Sequence, residues 1–157
     1  MAWTVYGFPY STAAMTDTSI YQNFKPQSNL ILKALRAWVI QNNDPSYTSI
    51  NMKIYSNNGG IPRTLIATST NVQTKAAMFG TSNSGVKEVY FDFDPLVLKE
   101  NETYHAVINA IGYTGSDSAH LAWRQMFFEA AYRTNYDDSF EGAMSSPLGL
   151  IVIGAKL

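Results

Sequence analysis

Short stretches in which apolar and polar residues alternate, separated by clusters of turn-forming residues, recur along most of the chain. The clearest is Ile50 to Tyr55: Ile50, Met52 and Ile54 point one way and Asn51, Lys53 and Tyr55 the other, the two-residue period of a half-buried strand. It stops at Ser56-Asn57-Asn58-Gly59-Gly60, where glycine permits a positive φ and asparagine tolerates one. Lys87 to Phe93 alternates as cleanly, with Val89, Phe91 and Phe93 on one face and Glu88, Tyr90 and Asp92 on the other, and Asp94-Pro95 is expected to end it. Ser19 to Phe24 precedes the turn Lys25-Pro26-Gln27-Ser28-Asn29. A longer strand follows from Asn29 to Ile40, closed by Gln41-Asn42-Asn43-Asp44-Pro45. Thr103 to Ile111 follows the polar turn Lys99-Glu100-Asn101-Glu102, and an apolar run closes the chain from Leu148 to Ala155. Leu65 to Ser69 and Val72 to Ala76 read as short strands or a ragged edge.

About eight short strands with turns between them, and few helical signals, predict an all-β fold, an antiparallel β-sandwich. One segment competes. Ala119 to Thr134 is rich in helix formers, and Trp123, Phe127, Ala130 and Ala131 fall near helical spacing, so a helix there is the alternative to strand and loop.

Composition narrows the class. At 157 residues the chain suits one domain. Only 15% of residues are charged, against about 25% in an average soluble protein, so Ser, Thr and Asn, 39 residues together, must finish the surface. Aromatics reach 13%, enough to fill a core and too many for a disordered chain. The net charge is −1 and no run of Lys or Arg occurs, which argues against nucleic acid as a partner. The absence of cysteine removes disulfides, thiolate metal sites and Cys nucleophiles. No basic segment followed by an apolar run opens the sequence, and Lys33 and Arg36 break the apolar stretch Leu30 to Ile40. Neither a signal peptide nor membrane insertion is therefore expected.

The first sixteen residues stand apart: Trp3, Val5, Tyr6, Phe8 and Tyr10 lie among small polar residues, and Asp17 is the first charged side chain. Such a segment needs covering. It reads as a first strand on its own domain or as an arm docked on a neighbouring subunit, with Trp3, Tyr6, Phe8 and Tyr10 as partner-binding residues. This divides the chain into an arm or first strand at 1–18 and a β domain at 19–157.

Several segments carry a family resemblance: Tyr21-Gln22-Asn23-Phe24-Lys25-Pro26, Met52-Lys53-Ile54-Tyr55-Ser56-Asn57-Asn58-Gly59-Gly60-Ile61-Pro62, Leu65-Ile66-Ala67-Thr68-Ser69, Val89-Tyr90-Phe91-Asp92-Phe93-Asp94-Pro95-Leu96-Val97-Leu98 and Glu102-Thr103-Tyr104-His105-Ala106-Val107-Ile108. In this order they resemble jelly-roll accessory domains, similar to carbohydrate-binding modules, found in bacteriophage virion and tail proteins and in bacterial surface proteins. The likeness covers most of residues 19–111. Trp123 then matches a Trp expected after a polar loop and Leu148 to Gly154 the closing strand, which assigns 119–134 to strand and loop. Arg63 stands where the family usually has Gly, and Phe127 to Gly142 has no counterpart. The resemblance implies a jelly roll located in a virion, acting through contacts with other virion proteins and with copies of itself as a homo-oligomer. The fold carries glycan-binding, coating and connecting roles alike.

Candidate chemistry is sparse. His105 and His120 are the only histidines, and neither lies in a metal-ligand spacing. His105, inside an alternating strand, reads as structural. No Gly-x-Ser-x-Gly elbow occurs, and Gly59-Gly60 lacks the Gly-Lys-Ser/Thr of a phosphate loop, so no enzyme and no cofactor is expected. Asp92 with Asp94, and Asp137 with Asp138, are carboxylate pairs suited to a hard cation, but without an EF-hand-like loop they assign no metal site. Structural calcium is common in similar jelly rolls and stays open. Asn101-Glu102-Thr103 matches a glycosylation acceptor and is taken as incidental. Sugar rings stack on aromatic faces while their hydroxyls bond planar polar groups. Tyr113, Asp117, His120, Trp123 and Arg124 supply that mixture, and Tyr132, Arg133, Asn135 and Tyr136 supply it again. Trp123 reads more readily as a core residue of a sandwich. The expectation is a non-enzymatic virion structural protein, in a capsid coat, tail or fibre. The alternative is a lectin-like module for host-surface polysaccharide using Tyr113, Asp117, Trp123, Arg124, Tyr132 and Tyr136.

Overall fold

The chain was analysed as a computed structural model, which describes residues 12–14, 19–116, 118–124, 132–134, 139–143 and 150–157. Its strands are β1 (Thr12–Ala14), β2 (Ser19–Phe24), β3 (Leu30–Asn42), β4 (Ser49–Asn58), β5 (Ile61–Thr68) and β6 (Gln73–Thr74). A one-turn helix, α1 (Lys75–Phe79), precedes β7 (Gly85–Leu98), β8 (Tyr104–Ile111), β9 (His120–Arg124), β10 (Tyr132–Thr134), β11 (Ser139–Ala143) and β12 (Leu150–Lys156). All pairings are antiparallel. Among the described residues no helix is long and apolar enough to cross a membrane.

Alternation decides which side chains enter the core. On β3, Leu30, Leu32, Leu35, Ala37 and Val39 are buried while Ile31, Lys33, Arg36, Trp38 and Ile40 take the other side. On β4 the buried set is Ile50, Met52 and Ile54, and on β8 it is Tyr104, Ala106, Ile108 and Ala110. These residues, with Phe24, Val89, Phe91, Leu121, Trp123, Leu150 and Val152, fill one core between two packed sheets, the arrangement of a β-sandwich.

One sheet runs β2-β8-β4-β5. In the other, β1-β9-β3 is continued by β7 on the far side of β3. These eight strands have the order of a jelly roll. One flank of β3 is shared by two strands: β12 pairs with it along Leu30 to Ala37 and β9 along Val39 to Asn42, and β11 and β10 extend outward from β12. The segment read as strand or helix at 119–134 is strand at both described ends, β9 and β10.

Two local expectations change. The strand expected to stop at Asp94-Pro95 continues to Leu98, because the register with β3 slips there: Ala34 faces Asp92 while Leu32 faces Leu96. The extra residues form a bulge that absorbs Pro95, and proline is tolerated at bulges and edges. Of the short strand or ragged edge expected at Val72 to Ala76, only Gln73–Thr74 is strand, as β6, and α1 takes over at Lys75. Thr74 Oγ1 accepts from Ala77 N at 3.1 Å, capping the helix, and Gly80, at φ 59°, ends it. One turn is too short to register as periodicity, yet it lays Met78 and Phe79 on the core.

The free edge of β7 is covered at Tyr90 and Asp92 by the chain that follows β5. Thr70 N donates to Asp92 O at 2.7 Å, Asn71 Oδ1 accepts from Asp92 N at 2.7 Å, and Asn71 Nδ2 and Gln73 Nε2 donate to Tyr90 O at 3.0 and 2.8 Å. This ties the two sheets together along one side and occupies backbone groups that would otherwise pair with another strand. At the opposite flank of β3, β12 bulges between Ile153 and Gly154. A Cβ on Gly154 would lie 2.5 Å from the Ile31 carbonyl oxygen and 2.9 Å from Leu30 Cδ1. Gly154→Ala is therefore expected to cost about 1–3 kcal/mol, read as a lower midpoint in chemical denaturation with an unchanged slope.

Candidate functional site

The register of β3 and β7 builds a row of side chains on the outer face of their sheet. Arg36 lies opposite Tyr90, Trp38 opposite Glu88 and Ile40 opposite Val86. The Arg36 guanidinium sits 5.3 Å from the Trp38 ring centroid and 5.6 Å from that of Tyr90. Its Nη1 donates to the Tyr90 hydroxyl at 3.0 Å and lies 3.7 Å from Glu88 Oε1. Tyr90 and Val86 are 40% and 48% exposed, and Val97, opposite Ile31, is 55% exposed. Beside the row, on the same face, Ile151 of β12 lies opposite Arg36 and is fully buried. Each cation–π contact at such a site is worth about 0.5–1 kcal/mol, and the half-exposed Arg36–Glu88 pair about 1 kcal/mol or less. The row is thus held in place more by sheet register than by its own contacts. Chemically it is a flat surface of aromatic rings, aliphatic groups and a planar cation.

This row was not legible as a site from the chain. Arg36 stood out only as a break in an apolar run, and Tyr90 only as the polar phase of an alternation. The available signal was Arg36 and Trp38 two residues apart on one strand, with Glu88 and Tyr90 at the same spacing on another.

Of the residues expected to form a sugar site, Trp123 belongs to the core. Trp123 is fully buried in the core, because β9 pairs it with the core-facing Val39. Tyr113 is half-buried against the core, and its hydroxyl accepts from Leu121 N at 3.1 Å. Burial raises its pKa. Arg124 is exposed and His120 half-buried. Tyr132 and Arg133 are placed in β10 by backbone pairing with Gly142 and Glu141. Asp117, Asn135, Tyr136, Asp137 and Asp138 lie outside the described residues, as do Trp3, Tyr6, Phe8 and Tyr10. Part of the 1–18 segment is β1, which pairs with β9. Asp92 and Asp94 are exposed, and among the described residues no three His, Cys, Asp or Glu side chains gather to hold a metal ion.

What the loops near Tyr113 do build is a bonded end-cap. Gln41, fully buried, donates from Nε2 to Ser82 O and Asn83 O at 2.9 and 3.2 Å and accepts from the Tyr47 hydroxyl at 2.7 Å. Lys75 Nζ lies 2.6 Å from Asp44 Oδ1, donates to Pro45 O at 2.6 Å and sits 5.2 Å from the Tyr47 ring. Asn43 Nδ2 donates to Ser118 O at 2.7 Å. Burial, with smaller contributions from Asp44 and Tyr113, pushes the Tyr47 pKa up, so its hydroxyl keeps the proton that Gln41 needs. At the opposite end a groove of about 130 Å³ lies among Asn23, Phe24, Lys25 and Thr103, well below the about 300 Å³ at which small-molecule sites begin.

No protein-family model matches the chain, and no curated protein matches it.

Tyr47→Phe removes the donor to Gln41 Oε1 and leaves a buried acceptor unpaired. The expected loss is about 1–3 kcal/mol, measurable by denaturant titration.

Proposed function

We propose that the protein is a non-enzymatic structural component of a virion, a capsid-decorating, tail or fibre protein that works through contacts with other virion proteins and with copies of itself. The observation that carries the contact role is the outer row of Arg36, Trp38, Glu88 and Tyr90 with Val86 and Val97 beside it. Arg, Trp and Tyr are the residue types that dominate protein–protein hot spots, and a flat face suits a protein surface better than a small ligand. The bonds from Thr70, Asn71 and Gln73 to Tyr90 and Asp92 cover the middle of β7's outer edge, which disfavours strand addition there. The virion setting is supported by the resemblance of residues 19–111 to jelly-roll accessory domains. The aromatic segment containing Trp3, Tyr6, Phe8 and Tyr10 is the second proposed contact.

The same row supports a second reading. Aromatic rings beside a guanidinium and a carboxylate on a partly exposed face also suit a sugar ring, which makes a lectin-like role the alternative, centred on Trp38 and Tyr90.

Electron microscopy of purified native material should find the chain on a larger particle, and light scattering of the recombinant chain should find an oligomer. Replacing Trp38 and Tyr90 together with Ala should weaken self-association by about 30-fold or more, the effect of losing one hot spot of about 2 kcal/mol, with the β-sheet circular dichroism retained. Removing residues 1–11, which spares β1, should weaken attachment to the particle. Unchanged association in both variants would sink the contact proposal. Saturable binding on a glycan array that is lost with Trp38→Ala would favour the lectin-like reading instead.

A further inference from the structure

On β8, the core-facing Tyr104, Ala106, Ile108 and Ala110 alternate with His105, Val107 and Asn109, which take the outer face of the sheet. His105 is nevertheless fully buried. Directly opposite it stand Asn23 of β2 and Tyr55 of β4, and one pair further along stand Tyr21 and Lys53. The Tyr21 ring meets the imidazole edge-on at 5.3 Å. The charged group among these neighbours is Lys53; none of them is a carboxylate.

The ring's protonation follows from its partners. His105 Nε2 lies 2.8 Å from Asn57 Oδ1, and the same oxygen accepts from Gly60 N at 3.1 Å. A backbone N–H only donates, so the Asn57 atom at this point is the carbonyl oxygen, and Nε2 must carry the hydrogen. Nδ1 is buried and has no hydrogen-bond partner among the described residues. The imidazole is therefore the neutral Nε2–H tautomer, and burial lowers its pKa. Asn57 in turn holds the β4–β5 hairpin, whose two-residue loop has Gly59 at φ 61° and Gly60 at φ 89°. Two positive φ values are what a type I′ connection requires.

We propose that His105 is an acid-sensitive latch on the β4–β5 hairpin. A proton taken from solvent adds to the Nδ1 lone pair and creates a buried cation with one N–H donor facing no acceptor. The hairpin end of β4 then opens, because Asn57, the ring's hydrogen-bond partner, belongs to it. The sign follows from linkage: above the ordinary histidine value of 6.5 open and closed states are both neutral and the latch is fully closed. As pH falls below it, the open state binds a proton that the closed state refuses. The opening equilibrium then grows by up to about tenfold per pH unit until the lowered pKa of the closed state is reached.

Hydrogen exchange of the full chain, corrected for intrinsic rates between about pH 7.5 and about pH 5, tests this. Protection over residues 55–66 should fall by roughly tenfold per pH unit below the ordinary value while β3 and β7 keep theirs. His105→Gln retains an Nε2 donor for Asn57 and does not titrate, so its hairpin protection should not depend on pH. Should that variant not fold, the ring-nitrogen chemical shifts of the native chain decide. An Nε2–H tautomer that does not titrate at the ordinary value supports the latch, and an Nδ1–H tautomer or ordinary titration overturns it. Protection over 55–66 that ignores pH, falls equally in the variant, or falls together with that of β3 and β7 also overturns it.

Discussion

Hydrogen bonding along both edges of β3 is the constraint on which the rest of the sandwich depends. From Leu30 to Gln41 its one edge is filled by β7, while its other edge is divided between β12, ending at Ala37, and β9, beginning at Val39. A strand paired on both sides and packed through Leu30, Leu32, Leu35, Ala37 and Val39 has no freedom of register, since a slip of one residue would turn that whole set outward. Trp38 sits at the single position between the end of β12 and the start of β9. It is therefore held on the outer face by the same alternation that puts Val39 in the core. The row of partly buried Arg36 and Trp38 beside exposed Tyr90 is thus a by-product of core formation, which makes it rigid and reduces the ordering cost of any contact made there.

The neutral polar residues do more than cover the surface. Asn29 Oδ1 accepts from Glu100 N at 2.9 Å, joining two connections at one end. Ser69 Oγ accepts from Met52 N at 3.1 Å and donates to Asn71 O at 2.8 Å, while Ser84 Oγ accepts from Asn43 N at 3.0 Å and Ser56 Oγ from Thr64 N at 3.1 Å. Each satisfies backbone groups that loops and strand ends leave unpaired. Short uncharged side chains suit this work because they carry both donor and acceptor functions without the desolvation cost of a charge. The low charge content and the ordered loops are two sides of one design.

How much of this was legible in the sequence depended on whether the information was local. Alternation found β4 and β7 and the core side of each, because a two-residue period is written along the strand itself, and flanking turns bounded β2 and β8. It misjudged the end of β7, since whether Pro95 stops a strand or sits in a bulge is settled by β3, not by the residues around it. It missed α1, whose single turn has no periodicity. The two tryptophans show the same limit for the site. Trp123 lies in a polar, sugar-like setting in sequence yet is buried because it pairs with Val39, while Trp38 lies in an apolar run yet faces outward opposite Glu88. Inside and outside are properties of register, which no single strand declares.

The two outer faces of the sandwich consequently have different physics. Over β3 and β7, polar and aromatic groups are paired with one another in partial contact with water, where loss of a neighbour is cheaply made good by solvent. Over β8, His105 is sealed and bonded through one nitrogen, so its other nitrogen is tolerable only while it stays unprotonated. A surface of the first kind suits reversible contact, because Tyr90, Glu88 and Val86 keep part of their hydration until a partner arrives. A buried group of the second kind suits a threshold, since nothing happens to it until a proton is forced in. Both arise from one rule, the alternation of side chains across a sheet. What separates them is whether the neighbouring strands supply bulk enough to exclude water, as Tyr21 and Tyr55 do beside His105.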